Sequence, residues 1–96
     1  MRGGHVYVMA NRYRGAMYIG VTAYLASRIF QHRTGDGSDF CNRYGLDRLV
    51  YVEHHADIRY AIAREKALKK WNRVWKFRLI EEGNPDWFDL FNSLNA

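Results

Sequence analysis

The chain has 96 residues with a formal net charge of +5, and 48% of its residues are hydrophobic. This length fits one domain, so we expect residues 1–96 to form a single unit with a modest core. The apolar content excludes a disordered chain, and the single cysteine, Cys41, excludes an internal disulfide. There is no apolar run of the roughly 20 residues that span a bilayer, and no apolar block typical of a signal peptide. These features predict a cytoplasmic protein without a membrane partner.

The first half of the chain predicts a β-hairpin followed by two helices. Residues 5–10 and 16–21 are rich in β-branched and aromatic types, with a polar turn between them. Thr22 is a suitable N-cap for a helix that runs to about Arg33. A glycine-rich break then separates this helix from a short helical segment at residues 39–44.

The second half predicts a strand, a long helix and a short tail. Residues 49–54 have strand composition, and Asp57 is a good N-cap for a helix reaching about Glu82, with a break near Asn72. Residues 86–94 are amphipathic and predict a short helix packed on the body. This order of elements predicts an α+β fold in which helices cover a small antiparallel sheet.

One acidic residue falls on the apolar side of the predicted long helix. At about 100° per residue, Glu65 lies within an arc formed by Ile58, Ala61, Ile62 and Leu68. A carboxylate on a buried face is costly unless something compensates it. The compensating group could be an arginine, a metal ion or solvent at the mouth of a cleft. A buried structural salt bridge is the alternative interpretation.

The first predicted helix repeats this pattern with basic residues. Arg28 and His32 lie at helical spacing with Leu25 and Ile29, and so point toward the apolar side. Together with Glu65 they form a set suited to phosphoryl chemistry. A carboxylate can hold Mg²⁺, a guanidinium binds phosphate bidentately, and an imidazole transfers protons near neutral pH. A half-buried structural histidine is an equal alternative for His32.

Basic residues are concentrated in the predicted long helix. Eight lysines and arginines fall between Arg59 and Arg78, with Glu65 as the one acid among them. Such a cluster favours a polyanionic partner, and a solvated helix face is the alternative. The candidate nucleic-acid-binding residues are Arg64, Lys66, Lys69, Lys70 and Arg73.

Several of these residues match a known signature in the correct order. Tyr18-Ile19-Gly20 is the second half of the GIY-YIG motif, and His5-Val6-Tyr7 stands at the position of its first half, with histidine in place of the first glycine. The residues after Gly20 fit the pattern Y-I-G-V-T-x-x-L-x-x-R-x-x-x-H. Residues 61–66 are similar to the family's helix with its metal-binding glutamate. The chain therefore resembles the GIY-YIG nuclease family over roughly residues 5–90, in particular its small stand-alone bacterial members.

The resemblance implies a fold, an activity and a partner. The fold is α+β, with a small three-stranded antiparallel β-sheet flanked by α-helices. The activity is hydrolysis of DNA phosphodiester bonds with one Mg²⁺ (or Mn²⁺) ion and no small-molecule organic cofactor, in DNA repair or recombination. The positions carried over are Tyr7, Tyr18, Arg28, His32, Glu65 and Asn84 as catalytic or supporting residues, and Gly20 as a structural residue of the motif.

The resemblance also implies a role for each side chain. Glu65 binds the metal, and Arg28 stabilises charge on the phosphate. Tyr7 orients or deprotonates the attacking water, and Tyr18 positions that water or the phosphate, while the choice of base between the two phenols stays open. His32 assists proton transfer or holds a phenol.

A shared site for the two tyrosines requires one particular hairpin register. Pairing Ala10 with Ala16 would place Tyr7 and Tyr18 on opposite faces of the sheet. We therefore expect Ala10 to pair with Met17, or an equivalent shift by a bulge.

Two other functions stay open at this point. One is a nucleic-acid-binding module that keeps the scaffold but cuts poorly or not at all. The other is an interaction protein whose aromatic tail, with Trp87, Phe88 and Phe91, docks on a partner. Ordinary core packing is the expected role of those three aromatics.

Overall fold

The structure is a computed structural model that describes residues 2–35 and 37–95, with Asn95 described for its backbone alone. The elements follow one another as β1 (Gly4–Ala10), β2 (Met17–Thr22), α1 (Leu25–Thr34), α2 (Asp39–Tyr44), β3 (Arg48–His55), α3 (Ile58–Lys69), α4 (Arg73–Gly83) and a 3₁₀ helix (Phe91–Asn95). The α+β fold class is confirmed, and each predicted strand has a counterpart within one or two residues.

Side-chain caps fix the boundaries of the two C-terminal helices. The Asp57 carboxylate accepts a hydrogen bond from the backbone N–H of Arg59 at the start of α3. The side chain of Asn72 does the same for the backbone N–H of Trp75 at the start of α4. The predicted N-cap and the predicted break near Asn72 are both confirmed.

Two local expectations were wrong. Thr22 does not cap α1, because it ends β2 and its hydroxyl accepts a hydrogen bond from the backbone N–H of Tyr24, which precedes the helix. The tail is helical only from Phe91 onward and then as a 3₁₀ helix. The predicted helix does not form from residue 86, because Trp87 adopts a φ of 58°, which is incompatible with a right-handed α-helix.

The three strands form an antiparallel sheet in the order β2-β1-β3. Ala10 pairs with Met17, so the predicted register is confirmed. Tyr7 then lies opposite Gly20 and Tyr18 opposite Met9. Because directly opposed residues share a face of the sheet and side chains alternate along a strand, the two tyrosines lie on the same face.

The central strand β1 supplies both hydrophobic clusters. Its residues Val6, Val8 and Ala10 pack with side chains from α3, α4 and the tail on one face. Tyr7 and Met9 pack on the other face with side chains from α1 and α2. Helix α3 therefore covers the face opposite to the tyrosines.

The aromatic tail is split between core and surface. Trp87 is fully buried in the hydrophobic cluster between the sheet and α3. Phe91 is half-buried, and Phe88 is exposed. A single exposed ring is not an exposed patch, so the tail offers little support for a docking function. Among the described residues, no helix is long and apolar enough to cross a membrane.

Candidate active site

Tyr7 is held at the centre of the sheet by a glycine and a histidine. Its side chain is 1% exposed, and its hydroxyl shares a 2.9 Å hydrogen bond with Nε2 of His32. A Cβ built on Gly20 would lie 2.4 Å from both Cζ and Oη of Tyr7. The motif glycine is therefore required at this position because the phenol ring occupies the space of any larger side chain.

Tyr18 and His32 complete a cluster of three rings. The ring centroids of Tyr7 and Tyr18 are 6.3 Å apart, and the His32 ring lies 5.7 Å from the first and 5.4 Å from the second. Tyr18 is half-buried, whereas Tyr7 and His32 are buried. Tyr18 is therefore the phenol more open to water.

Arg28 from α1 adds a positive charge to this ring cluster. The pKa of its guanidinium is raised, first by hydrogen bonding to the Tyr7 hydroxyl, with further contributions from Tyr18. Nη1 also donates to the Gln31 side chain over 3.2 Å. Arg28, Ser27 and Gln31 line an open cleft of about 310 Å³, so the guanidinium is reachable from solvent.

Burial keeps the inner pair of this cluster neutral near pH 7. Burial raises the pKa of Tyr7 to about 12, although Arg28 opposes the shift. Burial also lowers the pKa of His32, and the charge of Arg28 lowers it further. A protonated phenol and a neutral imidazole therefore share the hydrogen bond between Tyr7 and His32. Tyr7 is a poor base until further positive charge enters the site.

The other imidazole nitrogen of His32 packs against a residue that the sequence did not single out. Within the described ranges, Nδ1 of His32 is buried without a hydrogen-bond partner. A Cβ on Gly37 would lie 2.5 Å from this nitrogen, so the backbone of Gly37 packs directly on the ring. The glycine-rich break at residues 35–38 was the available signal, although it indicated only a turn.

Glu65 is half-buried on α3, with one partner in the described chain. The Nζ of Lys69 lies 3.2 Å from Oε2 of Glu65, and the two side chains are 53% and 14% exposed, respectively. The arc around Glu65 is partly as predicted, because Ala61 and Leu68 are buried but Ile62 is exposed.

Lys69 links this acid to the ring cluster. It lines a cleft of about 320 Å³ together with Met17, Tyr18, Ile19, Phe40 and Lys76. Tyr18 and the partner of Glu65 therefore line the same cleft.

One carboxylate near this cleft, that of Glu65, is of the chemical type that a hard divalent cation prefers. Within residues 2–35 and 37–95, no group of three or more His, Cys, Asp or Glu side chains could hold a metal ion. A half-buried carboxylate with a single mobile partner is nonetheless the kind of ligand that Mg²⁺ uses, because this ion typically takes one or two protein carboxylates with water and phosphate oxygens.

Asn84 makes its contacts elsewhere. Its amide donates to the carbonyls of Val50 and Phe88, and its Oδ1 accepts from the backbone N–H of Phe88. It therefore attaches the C-terminal segment to β3, and none of its hydrogen bonds reaches the tyrosines.

The five predicted nucleic-acid-binding residues have different surroundings. Arg64 donates to Glu53, and Arg73 donates to the backbone carbonyls of Arg14 and Gly15. Lys66 and Lys70 are exposed, and Lys69 pairs with Glu65. Lys66 and Lys70 are thus available to a polyanion, whereas Lys69 and both arginines have partners within the protein.

The three-stranded sheet thus brings two tyrosines, an arginine and a histidine together on one face, which is the arrangement that the resemblance to the GIY-YIG nucleases implies. The family described as "GIY-YIG catalytic domain" matches residues 3–78, and the chain belongs to the GIY-YIG family. The matched range includes Tyr7, Tyr18, Arg28, His32 and Glu65 and ends before Asn84.

Similar proteins occur in several bacteria. A "UPF0213 protein" of Bacillus cereus is 31% identical over 81 residues, which cover 84% of each chain. Other UPF0213 proteins that resemble the chain occur in Staphylococcus saprophyticus, with 32% identity over 72% of this chain and 84% of the relative, and in Clostridium perfringens, with 37% identity over 68% of this chain and 70% of the relative. No solved structure matches the chain.

Proposed function

We propose that this protein is an endonuclease that hydrolyses DNA phosphodiester bonds with one Mg²⁺ or Mn²⁺ ion, in the cytoplasm and in DNA repair or recombination. One observation carries the proposal. The two motif tyrosines meet His32 and Arg28 on one face of the sheet, beside a cleft that Lys69 connects to the half-buried Glu65.

Each side chain has a distinct part in the proposed reaction. Arg28 contacts the scissile phosphate and stabilises the charge that develops as the bond breaks. Tyr18 hydrogen-bonds the attacking water, because it is the more exposed phenol. Tyr7 and His32 form the inner pair, whose rings pack against Tyr18 and fix its position, and the Tyr7 hydroxyl accepts a hydrogen bond from Arg28. The buried Tyr7, with its pKa of about 12, is less suited to meet the water.

Glu65 holds the divalent cation in this proposal. When bound, such a cation supplies Lewis acidity and lowers the pKa of a nearby water. The added positive charge also favours deprotonation of a phenol. The lysines of α3 contact the flanking phosphates and contribute affinity without sequence preference.

The test compares the wild type with Glu65→Ala on branched, nicked, single-stranded and duplex DNA, with Mg²⁺, Mn²⁺ or EDTA. We expect the wild type to cut with either metal ion and Glu65→Ala to be inactive. Glu82→Gln, which changes an exposed acid of α4, is the matched control and should retain activity. Cleavage that persists both in EDTA and in Glu65→Ala would refute the proposal, and binding without cleavage by the wild type would favour a DNA-binding module.

A further inference from the structure

Among the described residues, Lys69 is the only side chain that forms an ion pair with Glu65, and this ion pair can break. An ion pair between residues four apart on one helix contributes little to stability when one member is exposed. Lys69 is 53% exposed, and among the described residues its ammonium group has no second ion pair. The Glu65 carboxylate can therefore exchange this partner at small cost.

The cleft in which the Lys69 ammonium group can bind a phosphate is already present in this structure. The cleft beside Tyr18 is lined by two lysines, Lys69 and Lys76, and contains no acidic residue among its lining side chains. The Nζ of Lys76 lies 3.4 Å from the carbonyl of Lys69, which keeps the second ammonium group near the same helix end. Two positive charges with no acid among the lining groups suit an anion, and phosphate is the anion that DNA offers.

We propose that Lys69 is an exchangeable counter-ion, which holds Glu65 in the free protein and moves to a DNA phosphate in the cleft beside Tyr18 when the carboxylate takes a divalent cation. This inference rests on the proposed function, because it requires that Glu65 binds the cation and that DNA enters the cleft. Lys69 is then a positioning residue that couples the two binding events. Because such coupling is reciprocal, cation binding strengthens DNA binding and DNA binding strengthens cation binding.

The exchange can be tested without metal and without turnover. Glu65→Gln removes the charge that holds Lys69, so in EDTA the lysine should be free to bind phosphate. We expect Glu65→Gln to raise affinity for a short fluorescein-labelled DNA duplex by roughly two- to fivefold, the range of one exposed ion pair. The same substitution made in a Lys69→Met background should leave affinity unchanged, as measured by fluorescence anisotropy.

Lys66→Met is the matched control background, because Lys66 is an exposed lysine of the same helix that forms no ion pair with any described residue. In that background Glu65→Gln should still raise affinity. An equal gain in the Lys69→Met and Lys66→Met backgrounds would overturn the inference, because the carboxylate would then act only by repelling DNA. No gain in any background would overturn it as well.

A second measurement separates this inference from the proposed function. Lys69→Met removes the competitor for Glu65, so we expect tighter Mn²⁺ binding than in the wild type, measured by the electron paramagnetic resonance of free Mn²⁺. Unchanged or weaker Mn²⁺ binding by Lys69→Met, with the ion still lost in Glu65→Gln, would refute the exchange while the proposed function stands. Mn²⁺ binding that is the same in the wild type and Glu65→Gln would instead refute the metal site itself.

Discussion

Glu53 and Glu65 are buried to nearly the same extent, but they differ in their hydrogen-bond and ion-pair partners. Their side chains are 18% and 14% exposed, so burial does not distinguish them. Glu53 on β3 accepts hydrogen bonds from the Tyr51 hydroxyl and the Arg64 guanidinium and contacts His55. Among the described residues, Glu65 pairs with one side chain, that of Lys69, four residues away. The two glutamates therefore differ in the number and exposure of their partners rather than in their own exposed fraction.

The surroundings of Glu53 also stabilise its charge. Burial alone would raise the pKa of Glu53, but the hydrogen bonds from Tyr51, His55 and Arg64 outweigh burial and lower it. Arg64 is itself packed over the Trp71 ring, with 5.1 Å between the guanidinium carbon and the ring centroid. The acid and its partners therefore connect β3 to α3 as a closed network.

The largest effect expected from this comparison is on catalysis. Glu65→Gln should lower cleavage at least about 100-fold, because removing a group that stabilises transition-state charge typically costs that much. The free energy of unfolding should change by no more than about 0.5 kcal/mol, since an exposed pair of this kind contributes little. Cleavage assays and urea denaturation of the same preparation measure both quantities. Strong destabilisation by Glu65→Gln would place this acid with Glu53 as a structural residue.

The corresponding substitution of Glu53 should lower the stability of the fold rather than the rate of cleavage. Glu53→Gln leaves Arg64 without its anionic partner and weakens the bonds from Tyr51 and His55, so we expect a loss of about 1–3 kcal/mol in the free energy of unfolding. The fraction that remains folded should cut DNA at nearly the wild-type rate. Urea denaturation measures the loss, with Glu82→Gln as a surface control. A fall in cleavage larger than the unfolded fraction explains would show that the two acids are not separate in function.

The stabilisation by Glu53 should depend on pH in a defined direction. Its folded pKa lies below the unfolded value, so its contribution is complete above the unfolded pKa of about 4.3 and is lost as pH falls through the folded pKa. The difference in unfolding free energy between wild type and Glu53→Gln should therefore be constant near neutral pH and shrink in acid. Urea denaturation at a series of pH values tests this, and a difference that grows as the pH falls would contradict it.

The smallest effect concerns the basic residues of α3. Lys66→Met should weaken DNA binding modestly and reduce the slope of log affinity against log salt by about 0.9, the value of one phosphate contact on duplex DNA. Arg64→Met should instead reduce stability, because Arg64 belongs to the Glu53 network. Salt titrations of DNA affinity and urea denaturation separate the two. A full salt-slope change in Arg64→Met with unaltered stability would mean that this arginine binds DNA directly.

The sequence predicted the parts of the molecule that depend on local rules. The helix cap at Asp57 was recognised from residue type, and a helix break was predicted near Asn72, where the structure shows a second side-chain cap that also acts within three residues. The register with Ala10 opposite Met17 was predicted because a shared site for Tyr7 and Tyr18 leaves little choice. Both kinds of prediction are confirmed.

Features that depend on distant partners were not predicted. Arg64 and Arg73 were assigned to DNA from charge alone, yet their hydrogen-bond acceptors lie 11 and 58 residues away along the chain. The close packing of Gly37 on His32 likewise follows from how a loop closes in space. Residue type and spacing carry no information on such contacts, which is why the candidate site was predicted less completely than the fold.

The position of β1 has a consequence for how activity is lost. Val6 and Val8 belong to the cluster under α3, while Tyr7 between them places its ring on the reverse side of the same strand, in the candidate site. A fluctuation large enough to release that ring must also open the principal core, so the amide of Tyr7 should exchange with solvent hydrogen only on global unfolding. On heating, activity and folded structure should therefore be lost together in a single cooperative transition. No intermediate that is folded but inactive should be populated.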